Sequence, residues 1–423
     1  MKMGFHEMLL SFFRGLDRRF KVMLVAIGFY SWTSRLPSQY NQLYATALGA
    51  NPVELGSLNS LGGLVNSLIS APLGWLIDKY GVKKLIILGL ALSAAVSGIY
   101  GCAVNWWMLI PAIILTQISM RMIMPLTDII IVGTTKSKER SLAMGFSRTI
   151  WAIPSIFAPM TAAIIVSYYG GINAQGIRPL YFIQLATIVF IILFVTFMLK
   201  PLPTQFSAKK SKPKRDPEKI SLIEDFKELL KSERWLKHWA AIMSLRQFGM
   251  SIAMPFIPLW MVQMKGADPY ILGTLGTLSV VTSALLQIPM GRLADKIGRK
   301  KVFLMLRPFS YLGNILLIYA PNPEALIIVG ILGTTGLMGG IDGVSFIPFI
   351  TMYWESVSAE KRGRLFGFTG IFSIFSVFAS ILGGFMWQAG YAELVLILPV
   401  LIEMAIVIPI LLRIPDKFIT QSS

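Results

Sequence analysis

Two stretches of the sequence decide the fold, and they are NPVELGSLNSLGGLVNSLISAPLGWLIDKYGVKK at 51–84 and DPYILGTLGTLSVVTSALLQIPMGRLADKIGRKK at 268–301. They align without a gap at an offset of 217 residues, and 14 of the 34 aligned positions are identical. A second pair, SKERSLAMGF at 137–146 and AEKRGRLFGF at 359–368, follows at a corresponding place in each half. A chain that repeats such long segments indicates two halves with the same architecture.

The composition around these copies is that of a membrane protein. Hydrophobic residue types make up 55% of the 423 residues, charged types make up 14%, and the mean hydropathy is +0.66. A soluble surface could not be built from so few charges, because such a globule would expose large apolar patches. Apolar runs of about 20 residues can cross the hydrocarbon core of a bilayer. The sequence contains twelve, at 21–46, 53–77, 83–103, 105–132, 141–168, 178–199, 237–263, 269–292, 301–320, 322–352, 364–387 and 391–413, which we number spans 1 to 12.

The positive charges are distributed very unevenly between the two sides of the predicted membrane. The chain has 39 Lys and Arg against 21 Asp and Glu, a formal net charge of +18. Six of the basic residues lie within spans, 31 lie on one side, and only Arg178 and Lys265 lie on the other. This asymmetry places both termini in the cytoplasm of a multi-pass protein of the cell membrane. The charge therefore reports orientation in a lipid bilayer and does not indicate nucleic-acid binding.

The middle of the chain separates two units of six spans each. Residues 1–199 form the predicted N-terminal bundle, which includes an amphipathic helix at 5–17 lying in the cytoplasmic interface. Residues 200–236 are a basic cytoplasmic linker, and residues 237–423 form the C-terminal bundle. Because the repeats lie at matching depth and orientation, the halves are expected to be related by an axis along the membrane normal. Such an arrangement places a cavity between the bundles.

The loops GWLIDKYGVKK (74–84) and GRLADKIGRKK (291–301) carry the most specific motif. Its pattern is Gly, three residues, Asp, a basic residue, one residue, Gly and then basic residues, and it occurs between the second and third span of each half. With twelve spans and a basic linker, the chain resembles the major facilitator superfamily of transporters over essentially its whole length. The resemblance implies an all-α polytopic membrane protein, with 12 transmembrane helices in two pseudo-symmetric bundles. It also implies that spans 1, 4, 7 and 10 line the cavity.

The resemblance further implies that the two loops act as a latch. In the family, the basic residues of the loop pair with an acid seven residues before the Arg that follows the fourth span of the half. Glu355 stands seven residues before Arg362, whereas Gly133 occupies the corresponding place in the first half, where Asp128 is the candidate substitute with Arg148 as partner. The alternative is that both loops are only tight basic turns. The predicted gating residues are Gly74, Asp78, Lys79, Gly81, Lys83, Lys84, Asp128, Arg148, Gly291, Asp295, Lys296, Gly298, Arg299, Lys300, Glu355 and Arg362.

Four charged residues lie deep in the spans that the family uses to line its cavity, namely Arg35, Arg121, Arg246 and Asp342. Ionisable groups at this depth are costly and usually mark a transport pathway. Three guanidinium groups against one carboxylate favour an anionic substrate, because guanidinium binds carboxylate or phosphate through paired hydrogen bonds. A structural alternative remains: Arg246 and Asp342 could form a closed ion pair, and Arg121 could cap backbone carbonyls.

Proton coupling needs a buried group whose charge can change. Asp342 is the best candidate in the sequence, and Glu403 in span 12 is the other deep acid. Span 12 lies outside the cavity in the family, so Glu403 is expected to face lipid or neighbouring helices. The two histidines lie at the interface and are poor candidates.

The glycine-rich stretch GILGTTGLMGGIDG at 330–343 superficially suggests a phosphate-binding loop. It lacks the following Gly-Lys-Ser/Thr and starts no soluble α/β unit. The glycines at 330, 333, 336 and 339 instead recur every three residues within span 10, which predicts a flat helix face for close packing and sliding. No ATP site, other cofactor or metal site is expected, and the single cysteine excludes a thiolate cluster.

These observations favour a monomeric secondary active transporter, and not an enzyme, that moves a small organic anion together with protons. A proton-driven multidrug exporter is the alternative within the same fold, and a non-transporting receptor or scaffold is a remote one. An intramembrane enzyme is disfavoured because no span carries a histidine in the bilayer, an HExxH motif or paired carboxylates. The residues name neither the substrate nor the direction of transport.

Overall fold

The computed structural model describes residues 17–68, 81–135, 140–199, 235–335, 339–357 and 377–415. All regular elements in these stretches are helices, which confirms the predicted all-α fold. Eight helical segments among the described residues are long and apolar enough to cross a membrane, and they are Val82–Cys102, Trp106–Ile131, Ala143–Tyr168, Ala174–Met198, Leu236–Met264, Pro269–Ile297, Arg299–Tyr319 and Ala392–Arg413. The predicted interfacial helix and nearly all of the linker lie outside the described residues.

The N-terminal half contains spans 1 to 6. Span 1 consists of two helices, Arg18–Arg35 and Asn41–Ala47, separated by a turn at 36–40 that contains Pro37. Proline lacks the N–H that would continue the helix, which accounts for the interruption. The other helices are Pro52–Leu68 in span 2, Val82–Cys102 in span 3, Leu109–Gly133 in span 4, Arg140–Tyr168 in span 5 and Ala174–Met198 in span 6.

The C-terminal half contains spans 7 to 12. Span 7 runs from Leu236–Ala253 through Ile257–Leu259 into a π-helical turn, Trp260–Met264. Spans 8 and 9 are single helices, Pro269–Ile297 and Arg299–Tyr319. Span 10 comprises Leu326–Leu332 and Gly340–Glu355, the described part of span 11 is helical over 377–388, and span 12 comprises Ala392–Ile402, a π-helical turn Glu403–Val407 and Ile408–Arg413.

The helix of span 10, for which the glycine pattern predicts a flat face, is interrupted in the structure. The helix stops at Leu332, and both Gly333 (φ 74°) and Gly340 (φ 60°) adopt the left-handed backbone region that favours glycine. The carbonyl oxygen of Gly333 also lies against Gly313 of span 9, so close that a Cβ on Gly313 would collide with it. Gly333 and Gly340 therefore serve a chain interruption, and Gly333 also approaches the backbone of span 9 closely.

The hydrophobic core shows how the halves meet. We call the side of the membrane that carries the basic loops the basic side, and the other the opposite side. The largest buried cluster lies on the opposite side and combines residues of both halves, such as Tyr44, Ala162, Phe256 and Leu272. Toward the basic side the core divides, with one cluster from spans 1, 3, 4, 5 and 6 and another from spans 7, 9, 10 and 12. The halves are thus packed together on the opposite side.

Candidate functional site

Two glycines at equivalent repeat positions bring the halves into close contact. A Cβ on Gly56 of span 2 would collide with the carbonyl oxygen of Ser380 in span 11. A Cβ on Gly273 of span 8 would lie 2.6 Å from the Cβ of Ala163 in span 5. Neither approach leaves room for a larger residue, so the glycines permit both contacts.

Hydrogen bonds reinforce the contact between the halves. Asn59 donates from Nδ2 to the Oγ of Ser380 at 2.7 Å, and Ser380 donates in turn to the carbonyl oxygen of Ser251 at 2.7 Å. Ser60 donates to the carbonyl oxygen of Val377. The bonds of Asn59 and Ser60 join the two halves, and both lie on the opposite side. The protein is therefore closed on that side.

Two adjoining cavities lie between the halves. One, of about 520 Å³, is lined by residues of spans 1, 5, 7, 8 and 10, and the other, of about 310 Å³, is lined by spans 1, 2, 3, 4 and 7. Gln42 and Met254 line both, so the two cavities are neighbours. Eight amide side chains contribute to their walls, and these are Gln39, Asn41, Gln42, Asn59, Asn66, Gln117, Gln247 and Gln287. The walls are suited to a solute that makes hydrogen bonds.

Arg35 supplies the charge in this space. It is the last residue of the first helix of span 1, and its side chain is exposed at the wall of the 520 Å³ cavity. Among the described residues that line the two cavities it is the only charged one. A helix end is favourable for a cation, because the helix dipole is negative there. The interruption of span 1 thus presents a guanidinium at mid-depth.

Arg121 lies behind the wall of the second cavity. Its Nε and Nη2 donate to the Oδ1 of Asn66 at 3.0 and 2.8 Å, and Asn66 lines that cavity. Arg121 and Arg35 do not line the same cavity in the structure. Arg121 instead orients an amide group that faces the cavity.

Arg246 lines a separate recess of about 150 Å³ with Met250, Asp342, Gly343 and Phe346. Its guanidinium carbon lies 4.4 Å from the centre of the Phe349 ring, so the group stacks on an aromatic face. The side chain is 94% buried, with a relative exposure of 6%, and Nε and Nη1 have no hydrogen-bond acceptor.

Asp342 is buried but forms its ion pair with Arg307 of span 9, and not with Arg246. Arg307 also binds Glu403 of span 12, with 2.7 Å between Nη2 and Oε2. Glu403 accepts a further hydrogen bond from the hydroxyl of Tyr311 at 3.3 Å. The buried acid of span 12 therefore faces the interior of its own half.

The sequence-based charge count missed this cluster. It considered three arginines and Asp342, whereas Arg307 and Glu403 lie at similar depth and bring the deep charges to four arginines and two acids. Counting residues from the basic ends of spans 9 and 12 would have found the pair, since Arg307 lies eight and Glu403 ten residues in. Opposite charges at matched depth predict a buried ion pair.

The second-half loop forms the pairing that the latch hypothesis requires. Arg299 binds Glu355 at the end of span 10, and its Nη2 lies 3.6 Å from the Oδ1 of Asp295. In the first half, Asp128 and Arg148 form an ion pair of 2.9 Å between Oδ2 and Nη2. Each half therefore has an acid of its fourth span paired with an arginine of the same half.

The two motif lysines at equivalent positions bind backbone carbonyls. Lys83 donates to the carbonyl oxygens of Thr196 (3.0 Å) and Leu199 at the end of span 6. Lys300 donates to those of Leu412 (3.4 Å) and Ile414 at the end of span 12. These contacts attach the last span of each half to the start of its third.

The motif glycines before these spans are explained by their backbone conformation. Gly81 (φ 77°) and Gly298 (φ 102°) precede spans 3 and 9 in the left-handed region. Lys84 and Lys296 are exposed, and a Cβ on Gly291 would meet no atom within 4 Å. The remaining predicted gating residues, Gly74, Asp78, Lys79 and Arg362, lie outside the described residues.

Comparison with known proteins identifies the family. A sequence model described as "Major Facilitator Superfamily" matches residues 22–246 and again 239–422. The chain is 23% identical over 328 residues to "Multidrug resistance protein 2" of Bacillus subtilis (strain 168), covering 77% of this chain and 78% of that relative. It is 26% identical over 342 residues to "Multidrug resistance protein MdtG" of Escherichia coli O17:K52:H18 (strain UMN026 / ExPEC), covering 80% and 78%.

Solved transporter structures share the fold at low sequence identity. The nucleoside transporter NupG superposes with a TM-score of 0.69 at 15% identity, covering 94% of this chain and 99% of that one. A bacterial homologue of the human lysosomal transporter Spinster gives a TM-score of 0.65 at 13% identity, covering 93% and 95%. The transporter FucP gives 0.55 at 16% identity, covering 94% and 98%. The resemblance inferred from the loop motifs is thereby confirmed at the level of the whole fold.

Proposed function

Because the chain belongs to the major facilitator superfamily, we propose that it is a secondary active transporter that carries a small organic anion across the cell membrane by alternating access. The observation that supports this most is the charge of the cavity wall. Arg35 is its only charged side chain, and no carboxylate is among the described lining residues.

The positive charge of the cavity wall favours an anionic solute over a cationic one. Arg35 is exposed at the wall of the cavity, and its positive charge attracts a solute that carries a carboxylate or phosphate. A lipophilic cation would meet a like charge at the wall of the cavity, where no acid is among the described lining residues. The surrounding amide groups suit the polar body of an organic acid better than a purely apolar one.

The proposal also assigns the state of the transport cycle. The positive-inside asymmetry places the basic side in the cytoplasm, and the halves are packed together on the opposite side. The cavity is then reached from the cytoplasm in this conformation. Rocking of the halves about the contact would expose it to the exterior, with a proton gradient as the driving force and Asp342 as the proton-binding group.

The test compares ligand-induced thermal stabilisation of purified protein and of Arg35 variants. Benzoate, decanoate and hexyl phosphate serve as organic anions, and tetraphenylphosphonium serves as the lipophilic cation. Anions should raise the melting temperature of the unmodified protein by mass action. Arg35→Gln should weaken anion binding by about 1–3 kcal/mol, the range for losing a charged hydrogen bond. The anion affinity of Arg35→Lys should lie between that of the unmodified protein and that of Arg35→Gln.

Arg292→Gln is the matched control for this experiment, because Arg292 is an exposed arginine of span 8 that lines neither cavity. It should bind like the unmodified protein. Anion binding that is equally strong in Arg35→Gln would contradict the proposed site.

A second candidate function is a proton-driven exporter of amphipathic drugs. The observation that favours it is the name of the relatives, since proteins that match 77–80% of this chain are called multidrug resistance proteins. An exporter of lipophilic cations should protect cells against such compounds, and Arg35→Gln should preserve or improve that protection. Loss of protection against organic acids in Arg35→Gln would instead favour an exporter whose substrates are anions.

A further inference from the structure

We propose that the recess beside Arg246 receives the acidic group of the transported anion, and that this group binds together with a proton that goes to Asp342. The inference rests on the proposed function, since it names the subsite for the acid. The recess and the 520 Å³ cavity share Gly343 in their walls, so the two spaces are neighbours, and the proposal places one end of the solute in each.

The size of the recess suits a small oxyanion. Its volume of about 150 Å³ corresponds to about five water molecules at ~30 Å³ each. A carboxylate or phosphate group fits this space, and the guanidinium of Arg246 in its lining suits such a group. The rest of the solute would remain in the larger cavity, among the amide groups.

Arg246 has the donors that such a group needs. Its side chain is 94% buried, given a relative exposure of 6%, and Nε and Nη1 have no acceptor. Phe349 covers the face of the guanidinium at 4.4 Å, and the rings of Phe303 and Phe346 lie at 5.5 and 5.9 Å. Aromatic contacts occupy the face of the planar group and leave its edge for hydrogen bonds. A buried donor without an acceptor is costly, and an oxyanion would remove that cost.

The charges around the recess explain why a proton should accompany the anion. Arg246 of span 7 and Arg307 of span 9 oppose Asp342 of span 10 and Glu403 of span 12, so the four charges cancel. An added anion would leave this buried cluster with a net negative charge. One proton taken from the water of the cavity restores neutrality.

Asp342 is the acid that should receive the proton. It lines the recess, whereas Glu403 lies behind Arg307 and accepts from Tyr311 of span 9. Span 8 also packs on this part of span 10 and contributes the uncharged Ser283, which donates to the carbonyl oxygen of Gly340. A protonated Asp342 would donate to the bound oxyanion or release Arg307 toward Glu403. A carrier with this linkage moves the anion and the proton in the same direction.

The first measurement is anion affinity in buffers between pH 5.5 and 8.5. The second is proton uptake on binding, followed with an indicator dye in weakly buffered solution. Benzoate and hexyl phosphate are the organic anions, and acetate and inorganic phosphate are the free small anions. We expect about one proton per organic anion, and affinity that falls up to tenfold per pH unit where that proton is taken up. Arg246→Gln should lower the affinity at least tenfold, with Arg246→Lys between it and the unmodified protein. Asp342→Asn imitates the protonated acid, so it should hold the affinity near its low-pH value at every pH and abolish the proton uptake.

The controls separate the possible failures. Arg292→Gln should retain affinity and proton uptake, and melting curves show whether each variant is folded. If Arg246→Gln fails to fold, the folded Arg246→Lys and Asp342→Asn variants decide the result.

Undiminished affinity in a folded Arg246 variant would overturn the subsite, and binding without proton uptake would overturn the linkage. Stabilisation by acetate or phosphate alone would assign the recess to free small anions and contradict its role for the substrate. Failure of the unmodified protein to bind any organic anion would overturn the proposed function itself.

Discussion

Asn59 of span 2 donates a 2.7 Å hydrogen bond to the hydroxyl of Ser380 in span 11, and this bond joins the two halves on the side opposite the basic loops. The hydroxyl of Ser380 in turn donates a hydrogen bond to the carbonyl oxygen of Ser251 in span 7. The backbone of Ser380 lies directly against Gly56. One small side chain thus carries both hydrogen bonds at a point of close helix contact, where it can stabilise the closed state.

We expect Ser380→Ala to shift the protein toward the state that is open on the opposite side. The variant removes the one hydrogen bond of Ser380 that joins the halves, worth about 0.5–1.5 kcal/mol, while its smaller side chain preserves the close contact. The measurement is the rate at which a cysteine placed at Gln42, in the cavity wall, reacts with an impermeant thiol reagent added outside cells. The native Cys102 is replaced by serine in this background. Labelling should be severalfold faster in Ser380→Ala.

Ser57→Ala is the control for this gate, because the Ser57 hydroxyl donates only to the carbonyl oxygen of Val53 within its own helix. Its labelling rate should match that of the parent. An equal rate in Ser380→Ala would show that the hydrogen bonds do not hold the gate.

The ion pair between Arg299 and Glu355 gives a prediction about the latch. Both side chains are partly exposed, so the pair is expected to contribute about 0.2–1 kcal/mol. Glu355→Gln should therefore change the transport rate by about two- to fivefold and leave substrate affinity unchanged. Asp295→Asn should act in the same way, since Asp295 faces the same arginine. The measurement is uptake into proteoliposomes beside equilibrium binding.

The comparison for the latch is Glu324→Gln, an exposed acid in the turn at Pro323–Ala325 on the other side of the membrane. It should leave the rate unchanged. Unaltered turnover in both latch variants would reduce the motif to a tight turn.

The single cysteine tests the orientation without any added label site. Cys102 is exposed at the end of span 3 on the opposite side, which the charge asymmetry predicts to lie outside the cell. An impermeant maleimide should therefore label the unmodified protein in intact cells. In a Cys102→Ser background, Lys301→Cys on the basic side should react only after the membrane is opened. The reverse pattern would invert the topology.

Some features of the fold followed directly from the sequence. The 217-residue repeat predicted matched positions, and Gly81 and Gly298 indeed share the same left-handed backbone at the start of spans 3 and 9. Local patterns carry such information because a loop between two apolar runs has few conformations that avoid strain. The all-α architecture followed from hydropathy alone, since a bilayer requires every backbone group of a span to be satisfied internally.

Other features depended on partners that one sequence does not reveal. Arg307 could have been paired with any deep acid, and only the packing of spans 9, 10 and 12 joins it to both Asp342 and Glu403. The glycines of span 10 are equally compatible with a flat helix face and with a broken helix. The structure shows a broken helix, in which the carbonyl oxygen of Gly333 packs against Gly313 of span 9.

Lys83 and Lys300 give the last prediction, which separates a structural role of the motif from a gating role. Each ammonium group donates to carbonyls at the end of the last span of its half, where a cation also complements the helix dipole. Replacement by methionine keeps the length and the apolar stem but removes the donor. Each single variant should lose about 1–2 kcal/mol of stability, and the two losses should add because the sites are far apart.

The neighbouring Lys84→Met and Lys301→Met are matched controls, since both lysines are exposed, and should melt like the parent. The measurement is denaturant or thermal unfolding in detergent, with ligand affinity recorded in parallel. A fall in transport rate at unchanged stability would instead assign these lysines to the gate.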